Sequence, residues 1–215
     1  EKEWFFDVLK KGMDSPFASY FDIDWETPTM TGKIVLPYLP YPLEESIRKN
    51  LLKLVAGDGE FFLDVSLNRL PLSHKSQQLL SIKTLKAQNL DDAFLIELLD
   101  LQHYVLIPWQ LGHKCINYRR FFDIQGLIGL RMEDPEVMEA HHRWLFEHID
   151  RGLIKGIRVD HPDGLKNPNY LEHLKTRVPY VVVEKILQKD EALRSDWACD
   201  GSVGYDYLND LSNLY

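Results

Sequence analysis

An α/β fold with a parallel sheet is predicted by three observations. Two β-branched runs, Gly156-Ile157-Arg158-Val159-Asp160 and Tyr180-Val181-Val182-Val183-Glu184, have strand length, and each ends in a carboxylate. One helix-sized segment lies between them, with Asn167 as its cap, Pro168 at the first helical position, and Asn169 to Lys175 continuing it. His161 to Pro179 is also long enough for the right-handed crossover that parallel neighbours need, about a dozen residues or more. Asp160 and Glu184 then close adjacent parallel strands at one edge of the sheet, the edge where a β/α barrel carries its chemistry. The expected fold class is α/β: a partial (β/α)8 barrel segment together with an inserted mixed α+β subdomain.

The remaining elements follow in chain order. Residues 1–15 read as a helix continuing from the barrel, rich in Trp4, Phe5, Phe6, Val8 and Leu9 and closed by Gly12 and Ser15-Pro16. Residues 16–115 read as the inserted subdomain, because no barrel-like βα alternation runs through them. It holds a strand at Lys33-Ile34-Val35-Leu36, a helix from Leu43 to Lys49, and a hairpin from Leu52 to Val65 about Gly57-Asp58-Gly59. Ser76 to Ala87 and Asp91 to Leu101 read as two helices. Residues 116–215 read as the partial barrel. There Pro135 to Asp150 sets Val137, Met138, Trp144, Leu145 and Ile149 near helical spacing, and Gly152 closes it. Glu191 to Trp197 reads as a short helix, Gly201 and Gly204 bracket a loop, and Tyr205 to Leu214 is helical with Tyr205, Leu208 and Leu211 on one face.

The two strand ends carry the candidate chemistry. Alternation puts Arg158 and Asp160 on one face of their strand, and Tyr180, Val182 and Glu184 alternate likewise. Two carboxyl groups about 5 to 5.5 Å apart suit a retaining glycosidase, in which one attacks the anomeric carbon and the other donates a proton. Arg158 should keep Asp160 ionised and fit to be the nucleophile. Glu184, with no cation on its own strand face and a carboxylate nearby, should have a raised pKa and serve as the acid. The alternative is that both carboxylates simply cap the loops that follow them.

These residues also resemble a known family. GIRVD at Gly156–Asp160 resembles the β4 motif of the α-amylase superfamily, and VEKIL at Val183–Leu187 its β5 motif. More narrowly, GIRVDHPDG (156–164), VVVEKIL (181–187) and DGSVGYDYLN (200–209) resemble the maltooligosyltrehalose synthases. NYRRFFDI (117–124) and GLRME (129–133) extend that match in preserved order. The resemblance implies that the two runs are the fourth and fifth barrel strands. It implies a parent enzyme that converts the reducing-end α-1,4 linkage of a malto-oligosaccharide to α,α-1,1, a (1→4)-α-D-glucan 1-α-D-glucosylmutase of trehalose biosynthesis. By motif position Asp160 is the nucleophile, Glu184 the acid/base and Arg158 the partner of the nucleophile. His161, Asp163 and Lys185 are substrate-binding candidates, with capping or packing equally open for each. Arg119 and Arg120 fall near the sugar cleft, although sequence alone allows a structural ion pair with Asp123 or another carboxylate. Asp206 is either a sugar ligand or a helix N-terminal carboxylate favoured by the helix dipole. The family's earlier Asp and Asn-His motif and its later His-Asp motif have no counterpart here, so an internal piece of a longer enzyme is expected, inactive in isolation.

Composition narrows the partners. A formal net charge of -8 disfavours nucleic acid and anionic membranes, and no apolar run approaches ~18 residues. A malto-oligosaccharide is the expected partner, and the open edges of a barrel segment add self-association as a second expectation. No metal or organic cofactor is expected. Cys115 and Cys199 match no metal or redox spacing, and His141 and His148 lie two helical turns apart. Both cysteines read as reduced thiols of a cytoplasmic protein, with Cys115 as a packing residue. Tyr20, Phe21, Trp25, Tyr38, Tyr41 and Trp109 are core or sugar-stacking aromatics. The rival classes are another α-amylase-superfamily hydrolase or 4-α-glucanotransferase, and a non-catalytic carbohydrate-binding module.

Overall fold

The computed structural model describes residues 2–27, 30–85, 91–124, 126–167, 169–188 and 191–212, without the side chains of 82–85 and 206. The chain forms two compact units, Glu1–Leu130 and Arg131–Tyr215, each with its own apolar core.

In the first unit, helix α1 (Lys2–Lys11) stops before Gly12, as its sequence predicts, and buries Val8 and Leu9 completely. Trp4 stacks on Phe17 at 5.8 Å and meets Tyr20 edge-on at 5.2 Å. Phe21 is buried against Phe5. Tyr20 and Phe21 are therefore packing residues, whereas Tyr41 and Trp109 stand exposed. Strand β1 (Ile34–Leu39) and helix α2 (Leu43–Arg48) lead into the expected hairpin, β2 (Leu52–Gly57) and β3 (Glu60–Val65). Gly57 pairs with Glu60, and both loop residues, Asp58 (φ 51) and Gly59 (φ 80), are left-handed. That is the two-residue type I′ pattern whose twist matches paired strands.

Strand β4 (Asn68–Pro71) extends the hairpin into a three-stranded antiparallel sheet. Helices α3 (His74–Leu85) and α4 (Asp92–Asp100) follow, and the Asp91 carboxylate caps α4 by accepting from the Phe94 N–H at 2.9 Å. Ala87, the expected end of the first of these helices, lies outside the described residues. Strand β5 (Tyr104–Pro108) then pairs parallel with β1. The region expected to lack barrel-like βα alternation thus contains one two-stranded parallel pair. The run Tyr104-Val105-Leu106-Ile107 was not recognised as a strand because a short continuous apolar run has no period that separates strand from helix. The one-turn helix α5 (Gly112–Cys115) leaves Cys115 exposed, so its expected packing role is also corrected.

In the second unit, helix α6 (Pro135–Asp150) begins as expected, with the Asp134 carboxylate accepting from the Glu136 N–H at 2.9 Å and Pro135 in the first turn. Strand β6 (Gly156–Val159), helix α7 (Asn169–Arg177) and strand β7 (Tyr180–Val183) form the expected unit. The two strands are parallel, in register from Gly156 opposite Tyr180 to Val159 opposite Val183. Asn167 caps α7 by accepting from the Asn169 N–H at 3.0 Å, and Pro168 lies outside the described residues. Met138, Phe146 and Ile149 of α6 and Leu171 and Leu174 of α7 cluster with Val159, Val181 and Val183 of the sheet. Arg158 and Tyr180, on the alternate positions, are exposed.

Two differences from the sequence expectation matter. A third parallel strand, β8 (Gly201–Ser202), pairs with β7 where a loop was expected. It is two residues long and carries no apolar run to announce it. Residues 191–197 are irregular, with one turn at Ser195 and Asp196, rather than the expected short helix. Arg194 is bound bidentately to Asp196 in this segment, at 2.9 and 2.6 Å, and Trp197 is drawn into the core. Helix α8 (Tyr205–Ser212) closes the described chain, and 213–215 lie outside it. Among the described residues no helix is long and apolar enough to cross a membrane.

Candidate active site

The parallel register of β6 and β7 decides what meets at the sheet edge. Because Val159 lies opposite Val183, the next residues, Asp160 and Glu184, leave the sheet side by side, and the ladder runs one step further through the Glu184 N–H to the Val159 carbonyl at 2.8 Å. Arg158 shares their face. A single guanidinium nitrogen, Nη2, lies 3.0 Å from Asp160 Oδ1 and 2.8 Å from Glu184 Oε2. The nearest oxygens of the two carboxyls are thus closer than the ~6.5 Å at which the inverting range begins.

One sequence expectation is corrected here: Glu184 does have a cation beside it. It comes from the neighbouring strand, and alternation along Glu184's own strand cannot reveal it. The other half of the expectation agrees with the geometry. Asp160 is held below the ordinary carboxylate range by a hydrogen bond from Glu184, then by the charge and hydrogen bond of Arg158, against an opposing desolvation. The same two carboxylates raise the Arg158 guanidinium.

The loops that leave the two strands are joined by Lys185. Its Nζ lies 3.2 Å from Asp163 Oδ2 on the β6 loop and 3.0 Å from Glu191 Oε1 on the β7 loop. Those hydrogen bonds raise the Lys185 ammonium above its usual value, Glu191 contributing most. Lys185 and Asp163 are therefore engaged with each other. His161 directly follows Asp160 in a left-handed conformation (φ 45, ψ 58), and Pro162–Gly164 make a tight 3-10 turn. A Cβ on Gly164 would come within 2.9 Å of the His161 ring, so the sequence HPDG is a folding unit in which the glycine makes room for the histidine.

Arg119 and Arg120 belong to the first unit. Arg119 pairs with Asp22 at 3.5 Å and donates to the Leu130 carbonyl at 3.1 Å, while Arg120 pairs with Asp123, as the sequence allowed. In the same motif the buried Asn117 donates to the carbonyls of Asp24 and Lys33, both at 2.8 Å, and accepts from the Val35 N–H at 2.9 Å. The side chain of Asp206 lies outside the described residues.

Two contributors are absent from the sequence reading. Tyr205 donates its hydroxyl to Glu184 Oε1 at 3.2 Å. Asp200 accepts from the Val181 N–H at 2.7 Å and pairs with Lys175, tying the start of β7 to the end of α7. Both lie in the DGSVGYDYLN stretch, which was the available signal; β8, which aligns it, was not visible.

No family model matches the chain. A Mycobacterium tuberculosis protein provisionally named maltooligosyl trehalose synthase is 38% identical over 218 residues, covering 100% of this chain and 25% of that protein. The structure of maltooligosyltrehalose synthase from Arthrobacter ramosus superposes with a TM-score of 0.77 at 35% identity, over 96% of this chain and 25% of that one. A hypothetical maltooligosyl trehalose synthase from Sulfolobus tokodaii superposes with a TM-score of 0.75 at 33% identity, over the same shares of both chains. The chain spans about a quarter of the length of the relatives it matches. In sequence and in fold, it is a homologue of one segment of the maltooligosyltrehalose synthases.

Proposed function

We propose that this chain supplies the nucleophile and acid/base strands of a retaining (β/α)8 transglucosylase that converts the reducing-end α-1,4 linkage of malto-oligosaccharides to α,α-1,1. The observation that carries this reading is the pair Asp160 and Glu184, side by side on adjacent parallel strands and bridged by one nitrogen of Arg158. The names of the relatives select this reaction among those that such a pair can serve. Asp160, kept ionised, attacks the anomeric carbon while Glu184 protonates the glycosidic oxygen. Glu184 then takes the proton from the anomeric hydroxyl of the released glucose, which has turned in place and attacks the glycosyl-enzyme. On this reading β6, β7 and β8 are consecutive barrel strands.

The nucleophile is open to water in the chain by itself: the Asp160 side chain is 64% exposed, against 25% for Glu184. Transfer to sugar must outcompete hydrolysis, which requires that water be excluded, so the 215 residues alone are expected to be inactive. Both cysteines are free thiols, which suits the reducing, cytoplasmic location that we include in this proposal.

The test incubates the full-length protein carrying this chain with maltopentaose. Reducing ends should disappear without chain shortening, and Asp160→Asn should abolish the change. Persistent reducing ends with accumulating short sugars would instead identify a hydrolase or 4-α-glucanotransferase.

A further inference from the structure

We infer that Tyr205 is a positioning residue for Glu184, fixing the rotation of that carboxyl from the side opposite Arg158; this rests on the acid/base role proposed above. The tyrosine reaches Glu184 through a backbone device 21 residues downstream of it, a span read directly from the sequence. Strand β8 pairs with β7 so that Ser202 lies opposite Val183, and the Val203 N–H continues the ladder to the Val183 carbonyl at 3.1 Å. Gly204 then turns the chain at φ +91, a conformation in which a side chain would be strained, and Tyr205 begins α8 with its hydroxyl at the carboxyl.

Glu184 is thereby held from both neighbouring strands. Arg158 of β6 engages Oε2 at 2.8 Å, and Tyr205 beyond β8 donates to Oε1 at 3.2 Å. Each oxygen of the carboxyl therefore accepts from a different neighbour, so its rotation is fixed from two sides. Oε2 is the oxygen that shares Arg158 Nη2 with Asp160 and so faces the side from which the nucleophile acts. A general acid works only when its proton points at the leaving oxygen. Tyr205 supplies that orientation without touching the reacting atoms.

Tyr205→Phe removes the hydroxyl and leaves the ring. In the 215-residue chain, the carbon-13 NMR signal of the Glu184 carboxyl should move at fixed pH, because one of its two hydrogen-bond donors is gone. In the full-length protein, kcat on maltopentaose should fall about 10-fold with KM nearly unchanged, since only part of general acid catalysis is lost. Fluoride release from α-maltosyl fluoride, whose leaving group needs no proton, should stay at the wild-type rate. A merely structural role would slow both substrates equally, and that outcome, or an unmoved Glu184 carboxyl signal, would overturn the inference. If the wild-type protein makes no non-reducing product, the proposed reaction fails, while the carboxyl signal still decides the contact.

Discussion

Arg158 sets the electrostatics of the site because one of its nitrogens serves two carboxylates. The strand pattern made half of this legible: Arg158 and Asp160 are two residues apart and so share a face. The other half, Arg158 to Glu184, depends on the register between strands, which no local pattern encodes. Tyr205 escaped for the same reason. The consequence for Asp160 can be measured. Its carboxyl is held below 3.8 in the folded chain, so its contribution to stability is present above that value and lost as the pH falls through the folded one. Arg158→Gln removes the charge while keeping a hydrogen-bonding side chain. Carbon-13 NMR of the Asp160 carboxyl should then show its midpoint rise. No movement would mean that Glu184 alone holds Asp160 low.

Elements were legible where their causes are local. The β2–β3 hairpin follows from two loop residues that accept positive φ, and α4 and α6 follow from the Asp91 and Asp134 caps. Strands β5 and β8 were not legible because each is fixed by a parallel partner remote in sequence. The segment from Glu191 to Trp197 has good helix formers, yet ion pairs and the burial of Trp197 hold it in an irregular conformation. That gives Lys185 a definite task between elements, since it pins this segment to the turn after β6 through Glu191 and Asp163. Lys185→Met should release it, so the amides of residues 191–197 should exchange with solvent roughly 10-fold faster while those of β6 and β7 keep their protection. Equal acceleration in the strands would mean that Lys185 stabilises the whole unit instead.

At the scale of the whole chain, charge and apolar exposure oppose each other. Trp144, Tyr180, Tyr207 and Leu208 of the second unit are all more than half exposed. Its sheet runs β6-β7-β8, so among the described residues each outer strand has one unpaired edge. Exposed apolar groups and unpaired edges both favour contact with another copy. The net charge of -8 repels such a copy over distances of about a Debye length, ~30 Å at 0.01 M salt and ~8 Å at physiological ionic strength. The chain is therefore expected to self-associate, and to do so more strongly as salt is added. Light scattering across a wide concentration range, at low salt and at about 0.5 M salt, separates the possibilities. A mean mass that rises with both concentration and salt supports apolar contact. Association that weakens with salt would assign it to ion pairs, and one mass at every condition would show that these faces stay apart.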